Sequence, residues 1–142
     1  MATGSGIGRY FGGLVPDAAF AADGSIEPID ATSYVFGLEQ RLSSTISIAG
    51  YYSGVETDAA SFVDTTGTYI GFGFPGSSDS NNESIREATV TFAWQPFKIA
   101  NRGSVQLNTQ LSWLERTPFD RGSRPASAEA FMFFAQLRYN LP

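Results

Sequence analysis

The sequence has 142 residues, of which 42% are hydrophobic, 14% aromatic and only 16% charged, and its formal net charge at pH 7 is −5. It contains neither cysteine nor histidine, which excludes disulfides, most zinc sites and Ser-His or Cys-His nucleophiles. The acidic balance argues against a nucleic-acid partner, because no basic stripe is present to contact phosphates. We therefore expect no catalytic residue, no metal site and no cofactor.

The composition also favours an all-β fold. Charged residues are well below the roughly 25% of ordinary soluble domains, and 15 glycines accompany the many aromatic residues. Residues 1–31 are interpreted as the end of a strand, near residues 9–14, followed by a loop. The sequence Val15-Pro16-Asp17 breaks that strand, and Asp23-Gly24-Ser25 predicts a turn.

The first clear hairpin is predicted over residues 32–55, with a short turn at Ser43-Ser44. Side chains of a strand point alternately to opposite faces of its sheet, so each strand here has an apolar and a more polar face. In the first strand the apolar face carries Tyr34, Phe36, Leu38 and Leu42. The more polar face carries Ser33, Val35, Gly37, Glu39 and Arg41. In the second strand the apolar face carries Ile46, Ile48, Gly50 and Tyr52. The other face carries Ser47, Ala49, Tyr51 and Ser53.

Residues 56–83 form an acidic span that contains no lysine or arginine. Its short strand-like stretch, residues 69–74, ends at Pro75-Gly76. We interpret the span as a long loop in which residues 69–74 form a ribbon outside the main strands.

Three further strands are predicted over residues 84–142. The first carries Ala88, Val90, Phe92 and Trp94 on its apolar face and is expected to stop at Pro96. The second, residues 105–113, alternates strictly, and a polar loop over residues 116–128 follows it. Strands of roughly 9–11 residues suit a tilted bilayer crossing, although half-buried strands of soluble sheets show the same alternation.

The final strand carries the most informative pattern, Phe131-x-Phe133-x-Ala135-x-Leu137-x-Tyr139-x-Leu141. It resembles the terminal strand of the outer-membrane β-barrel proteins of Gram-negative bacteria, and the ending Leu137 to Pro142 is similar to that of porin-like members. The aromatic nearest the carboxyl terminus is Tyr139, where the family usually has a terminal aromatic. The resemblance implies an antiparallel up-and-down meander in the outer membrane, in contact with lipid. It also implies recognition by the barrel-assembly machinery through Phe131, Phe133, Leu137, Tyr139 and Leu141.

The resemblance implies an orientation as well, because bacterial barrels have short periplasmic turns and long extracellular loops. Counting back from a periplasmic carboxyl terminus, residues 117–128 and 56–83 become extracellular. The connections at residues 97–103 and 43–44 become periplasmic. Long and short connections therefore fall on the expected sides.

Five predicted spanning strands, or six with residues 9–14, are too few to close a membrane barrel. An open edge in lipid would leave backbone groups unpaired at several kcal/mol each. We therefore expect this sequence to be the C-terminal part of a larger porin-like barrel; its oligomeric state is left open.

The function implied by the resemblance is passive diffusion of small hydrophilic solutes, with no enzymatic reaction. The candidate lumen-facing residues lie opposite the apolar stripe and are Glu39, Arg41, Glu87, Gln106, Asn108, Gln110 and Arg138. The alternative is a secreted soluble β-sandwich that binds carbohydrate or protein through its acidic loops.

Overall fold

The computed structural model describes residues 1–6, 15–77, 81–99, 103–119 and 127–141. All elements in these ranges are β-strands, and the pairings with a determined register are antiparallel. The prediction of an all-β antiparallel fold is therefore confirmed. Within the described ranges, no helix has the length and apolarity needed to cross a membrane.

The strands are β1 (Ala2–Ser5), β2 (Ala18–Phe20), β3 (Ile26–Pro28), β4 (Asp30–Arg41), β5 (Ile46–Thr57), β6 (Ala60–Val63), β7 (Tyr69–Phe72), β8 (Asn82–Ile99), β9 (Gly103–Pro118) and β10 (Ala128–Asn140). The main sheet has the order β1-β4-β5-β8-β9-β10, and two small sheets pair β2 with β3 and β6 with β7. The strands β1 and β10 are the two ends of the main order. Among the described residues the sheet is therefore open, and no closed barrel is present.

The contacts of the chain divide it into two units. The first unit comprises Met1–Tyr34, Ser53–Arg86 and Glu115–Glu129, and the second comprises Val35–Tyr52, Glu87–Leu114 and Ala130–Pro142.

The first unit contains a small apolar core. Its buried members are Val15, Ala19, Ile29 and Phe72, and its partly buried members are Val55, Ala60, Phe62 and Phe119. The rings of Phe72 and Phe119 meet edge to face, with centroids 5.5 Å apart and planes at 82°, an arrangement that aromatic quadrupoles favour. This core holds the two small hairpins of the first unit together.

The β6–β7 hairpin falls inside the predicted acidic loop, and residues 69–72 pair with residues 60–63, outside the main sheet. Its turn is organised by the carboxylate of Asp64. The Thr66 hydroxyl donates to Asp64 Oδ1 at 2.7 Å, and the backbone N–H groups of Thr66 and Thr68 donate at 2.8 and 2.9 Å. Asp and Asn stabilise turns through such side-chain-to-backbone bonds.

We expect the β6–β7 hairpin to loosen in acid. The Thr66 hydroxyl bond, followed by the Thr68 N–H bond, lowers the pKa of the Asp64 carboxyl from its ordinary value. Because the pKa of Asp64 is lower in the folded chain than in the unfolded chain, its ionised carboxylate stabilises the hairpin at pH values above the ordinary pKa. This contribution is lost as the pH falls through the folded-state pKa. An NMR titration of Asp64 should show the low pKa, and Thr66→Ala should raise it. An unchanged pKa in Thr66→Ala would contradict the assignment.

One of the main strands, β8, differs from the sequence prediction. The strand β8 begins at Asn82 and continues through Pro96 to Ile99, whereas the sequence predicted a stop at Pro96. Gln95 donates its backbone N–H to the carbonyl of Thr45, the residue before β5 begins. Pro96 therefore lies where β8 extends beyond the first residue of β5 and no longer pairs with it. Proline is tolerated where a strand has a neighbour on one side only. The predicted strand at residues 9–14 lies outside the described residues.

Candidate functional site

The second unit has an inverted pattern of burial. Its buried residues, within the part of the chain that the structure describes, are Thr89, Ser104 and Ser112, and Ser112 is completely buried. Its large apolar side chains are exposed: Leu38 and Leu137 are each 74% accessible. A sheet of a soluble protein normally buries its apolar face and solvates its polar face.

The apolar face is continuous across the strands of this unit. A depression of about 600 Å³ brings together residues of β4, β5, β8, β9 and β10. Its apolar lining includes Phe36, Leu38, Tyr52, Val90, Leu111 and Phe131. Phe36, Val90, Leu111 and Phe131 are all more than half exposed. Contiguous exposed apolar surface of this kind marks contact with a membrane or with another protein.

The opposite face is held together by side-chain hydrogen bonds between polar residues. The Thr89 hydroxyl donates to the Glu87 carboxylate at 2.9 Å and lies 2.7 Å from the Ser112 hydroxyl. Since a hydroxyl has one proton to donate, Ser112 is the donor to Thr89. The Gln110 amide donates to Ser112 at 3.0 Å. The network fills this part of the face with polar atoms that partner one another.

The polar bonds continue from β9 to β10. The Asn108 amide donates to the Gln136 side chain at 3.5 Å, and the Asn140 amide donates to the Ser104 hydroxyl at 3.3 Å. The alternation of β10 puts Arg138 on the same face as Gln136 and Asn140.

A polar cavity of about 580 Å³ lies on this face at the β4–β5 turn, and its lining includes Glu39, Arg41, Tyr51, Gln95 and Gln106. The Tyr51 hydroxyl donates to the Glu39 carboxylate across the two strands. The Arg41 guanidinium donates to the carbonyls of Ser43 and Ser44, at 3.0 Å each, and so fixes the turn.

The seven sequence-predicted lumen residues therefore share the polar face. Glu39, Arg41 and Gln106 line its cavity, and the other four lie in or beside the hydrogen-bonded rows. That this face surrounds a lumen stays a prediction. The sequence reading did not single out Tyr51, Thr89 or Ser112, although their position in the alternation was a sufficient signal.

The five residues of the predicted assembly signal lie at alternate positions at the β10 end of the sheet. They are between 58% and 80% exposed, namely Phe131, Phe133, Leu137, Tyr139 and Leu141. Alternation puts these side chains on the apolar face. Apolar side chains are not confined to the apolar face, because Phe134 lies among the polar positions of β10 and is also exposed.

The first unit contains a separate acidic cavity of about 580 Å³, whose lining includes Asp30, Glu56, Asp58, Glu83 and Arg86. Arg86 and Glu56 form an exposed ion pair at 3.1 Å, which contributes little to stability. Within the described ranges, no three acidic side chains are grouped closely enough to hold a metal ion.

Gly37 is the residue that lets Tyr51 lie across β4. A Cβ at Gly37 would stand 2.6 and 2.7 Å from Cδ1 and Cε1 of the Tyr51 ring. We expect Gly37→Ala to destabilise the folded chain by about 1–3 kcal/mol, the usual cost of overpacking. Gly50→Ala is the matched control, because its nearest neighbour, Thr89 O, is 4.0 Å away. Urea unfolding should separate the two variants, and equal midpoints would contradict the packing assignment.

Comparisons with protein-family models, with curated proteins and with solved structures found no match to this chain.

Proposed function

We propose that this chain forms part of a β-barrel in the bacterial outer membrane, through which small hydrophilic solutes pass by passive diffusion. In this proposal the apolar face of the second unit contacts lipid and the polar face contacts water and solutes. The strand β10 contacts the barrel-assembly machinery. No chemical reaction is part of the proposal.

The observation that carries the proposal is the inverted burial of the second unit. Thr89 and Ser112 are buried, while Phe36, Leu38 and Leu137 are mostly exposed. In water this arrangement leaves a large apolar surface unburied, at roughly 25 cal/mol for each Å². In a membrane barrel the same arrangement is favourable, because lipid covers the apolar face and water fills the interior.

The lengths of the strands are compatible with a bilayer crossing. The strands β4, β5 and β10 have 12, 12 and 13 residues, and β8 and β9 are longer. A tilted membrane strand needs about 9–11 residues, so each of these strands has enough residues to cross.

The alternative of a soluble β-sandwich is supported less well. A sandwich packs a second sheet against the apolar face of the first, about 10 Å away. Among the described residues of the second unit, the apolar side chains named above remain exposed, so no such layer covers them. The acidic cavity of the first unit is the feature that a sandwich function would use.

Gln110→Arg tests the pore directly. Because Gln110 belongs to the polar face, an arginine there should remain solvated and shift ion selectivity toward anions, with little loss of stability. The measurement is the reversal potential in planar bilayers, under a salt gradient, of the complete barrel that contains this chain. Gln110→Asn, which alters the side chain without adding charge, is the control and should leave the reversal potential near that of the parent.

Two outcomes would count against the proposal. The complete barrel could give no channels, or its reversal potential could be the same in Gln110→Arg and Gln110→Asn. Either result would remove this face from contact with a conducting pathway.

A further inference from the structure

The polar cavity at the β4–β5 turn has the chemistry of a binding site for a neutral sugar. We propose that it is a solute subsite of the channel, which takes a neutral polyhydroxylated molecule; this inference rests on the proposed function. Its volume of about 580 Å³ is within the usual range of small-molecule pockets, about 300–1,000 Å³.

The charge of the cavity favours a neutral ligand. Its lining contains one acidic and one basic side chain, Glu39 and Arg41, so its formal charge is zero. Both groups already have partners, since Glu39 accepts from Tyr51 and Arg41 donates to two turn carbonyls. Because the one negative and the one positive side chain of the lining offset each other, the cavity has no net charge that would favour an anion or a cation.

Two side-chain amides in the wall are available to a ligand. Gln95 and Gln106 both line the cavity, and among the described residues no protein group is hydrogen-bonded to their side-chain amides. An amide offers two N–H donors and one acceptor oxygen. Sugar hydroxyls both donate and accept, so an amide pair of this kind is complementary to them.

Tyr51 provides the third element. Its ring lies over Gly37, and its hydroxyl reaches Glu39 two residues further along β4. The ring is thus held along the sheet, and 36% of the residue remains exposed. The face of an aromatic ring carries partial negative charge, and it would contact the apolar C–H face of a sugar ring.

The first test uses maltose as the probe. Maltose should interrupt the current of the complete barrel that contains this chain in planar bilayers, and isothermal titration should give heat of binding to that barrel in detergent. Gln106→Ala should weaken maltose binding by about fivefold, the usual effect of losing one hydrogen bond. Thr109→Ala, a polar-to-alanine change on the same strand but on its opposite face and outside the cavity lining, should leave maltose binding unchanged.

Two tyrosine variants show whether Tyr51 contributes to maltose binding by stacking on the sugar or only by supporting the fold. Tyr51→Ala should weaken maltose binding by about fivefold or more. Tyr34→Ala removes another tyrosine that packs on a glycine, Gly54, and Tyr34 does not line this cavity. Equal losses of maltose binding in both variants would assign the effect to folding and overturn the stacking role.

The ligand class is tested with three monosaccharides that differ in charge. Glucose should compete with maltose better than glucuronate or glucosamine does. Stronger competition by either charged sugar would overturn the neutral class. Channels that open but bind no maltose would overturn the subsite and leave the pore proposal standing. Maltose binding without conductance would overturn the pore proposal and leave the sugar-binding site standing.

Discussion

Leu111→Arg is expected to prevent stable membrane insertion, while Gln110→Arg at the neighbouring position is tolerated. Leu111 lines the apolar depression and is 54% exposed. An arginine on the lipid-facing side of a barrel strand costs roughly 2–4 kcal/mol near the bilayer midplane. Refolding of the complete barrel that contains this chain into lipid vesicles, followed by the fraction of heat-modifiable protein on gels, measures the difference.

This pair of variants shows whether the apolar face is in contact with lipid or with water. If the face is in water, a half-exposed Leu111 can be replaced by arginine at little cost, since surface substitutions usually change stability by less than about 0.5 kcal/mol. Equal refolding yields of Leu111→Arg and Gln110→Arg would therefore contradict the membrane assignment. Leu111→Met, which keeps an apolar side chain of similar volume, should refold like the parent and controls for packing changes.

The strands of the second unit could be predicted from the sequence because their signal is local. Alternation with a period of two separates the faces of a strand without knowledge of its neighbours. The apolar positions of β9 and β10 were identified in this way, and so was the polar face that contains Gln106, Asn108 and Gln110. The exclusion of residues 69–74 from the main strands was not local, because it came from the alternation of long and short connections that the resemblance to outer-membrane barrels implies.

The features that the sequence could not supply depend on pairing between distant segments. The register that puts Tyr51 over Gly37, and Thr89 beside Ser112, follows from which strands are neighbours. The extension of β8 past Pro96 depends on where β5 begins. The core around Val15, Ile29 and Phe72 joins segments that lie far apart in the chain, and no periodic pattern identifies such a group.

The largest expected effect comes from the two edges of the main sheet. The strand β1 pairs only with residues 30–33 of β4. Among the described residues, the rest of β4 therefore has β5 as its only neighbour, and β10 has only β9. About half of the backbone groups of an edge strand point outward in an antiparallel ladder. In lipid each unpaired group costs several kcal/mol, so the two edges together cost on the order of 10 kcal/mol or more.

We therefore expect the 142-residue chain, refolded alone in detergent, to associate or to remain unfolded and not to form a closed monomer. Edge pairing between copies, or with further strands, removes the cost because every N–H and C=O then finds a partner. Light scattering coupled to size exclusion measures the mass, and hydrogen exchange of the β10 amides reports whether that edge is paired. A compact monomer with protected β10 amides would show that the chain closes on itself, and would overturn the expectation that this sheet needs additional strands.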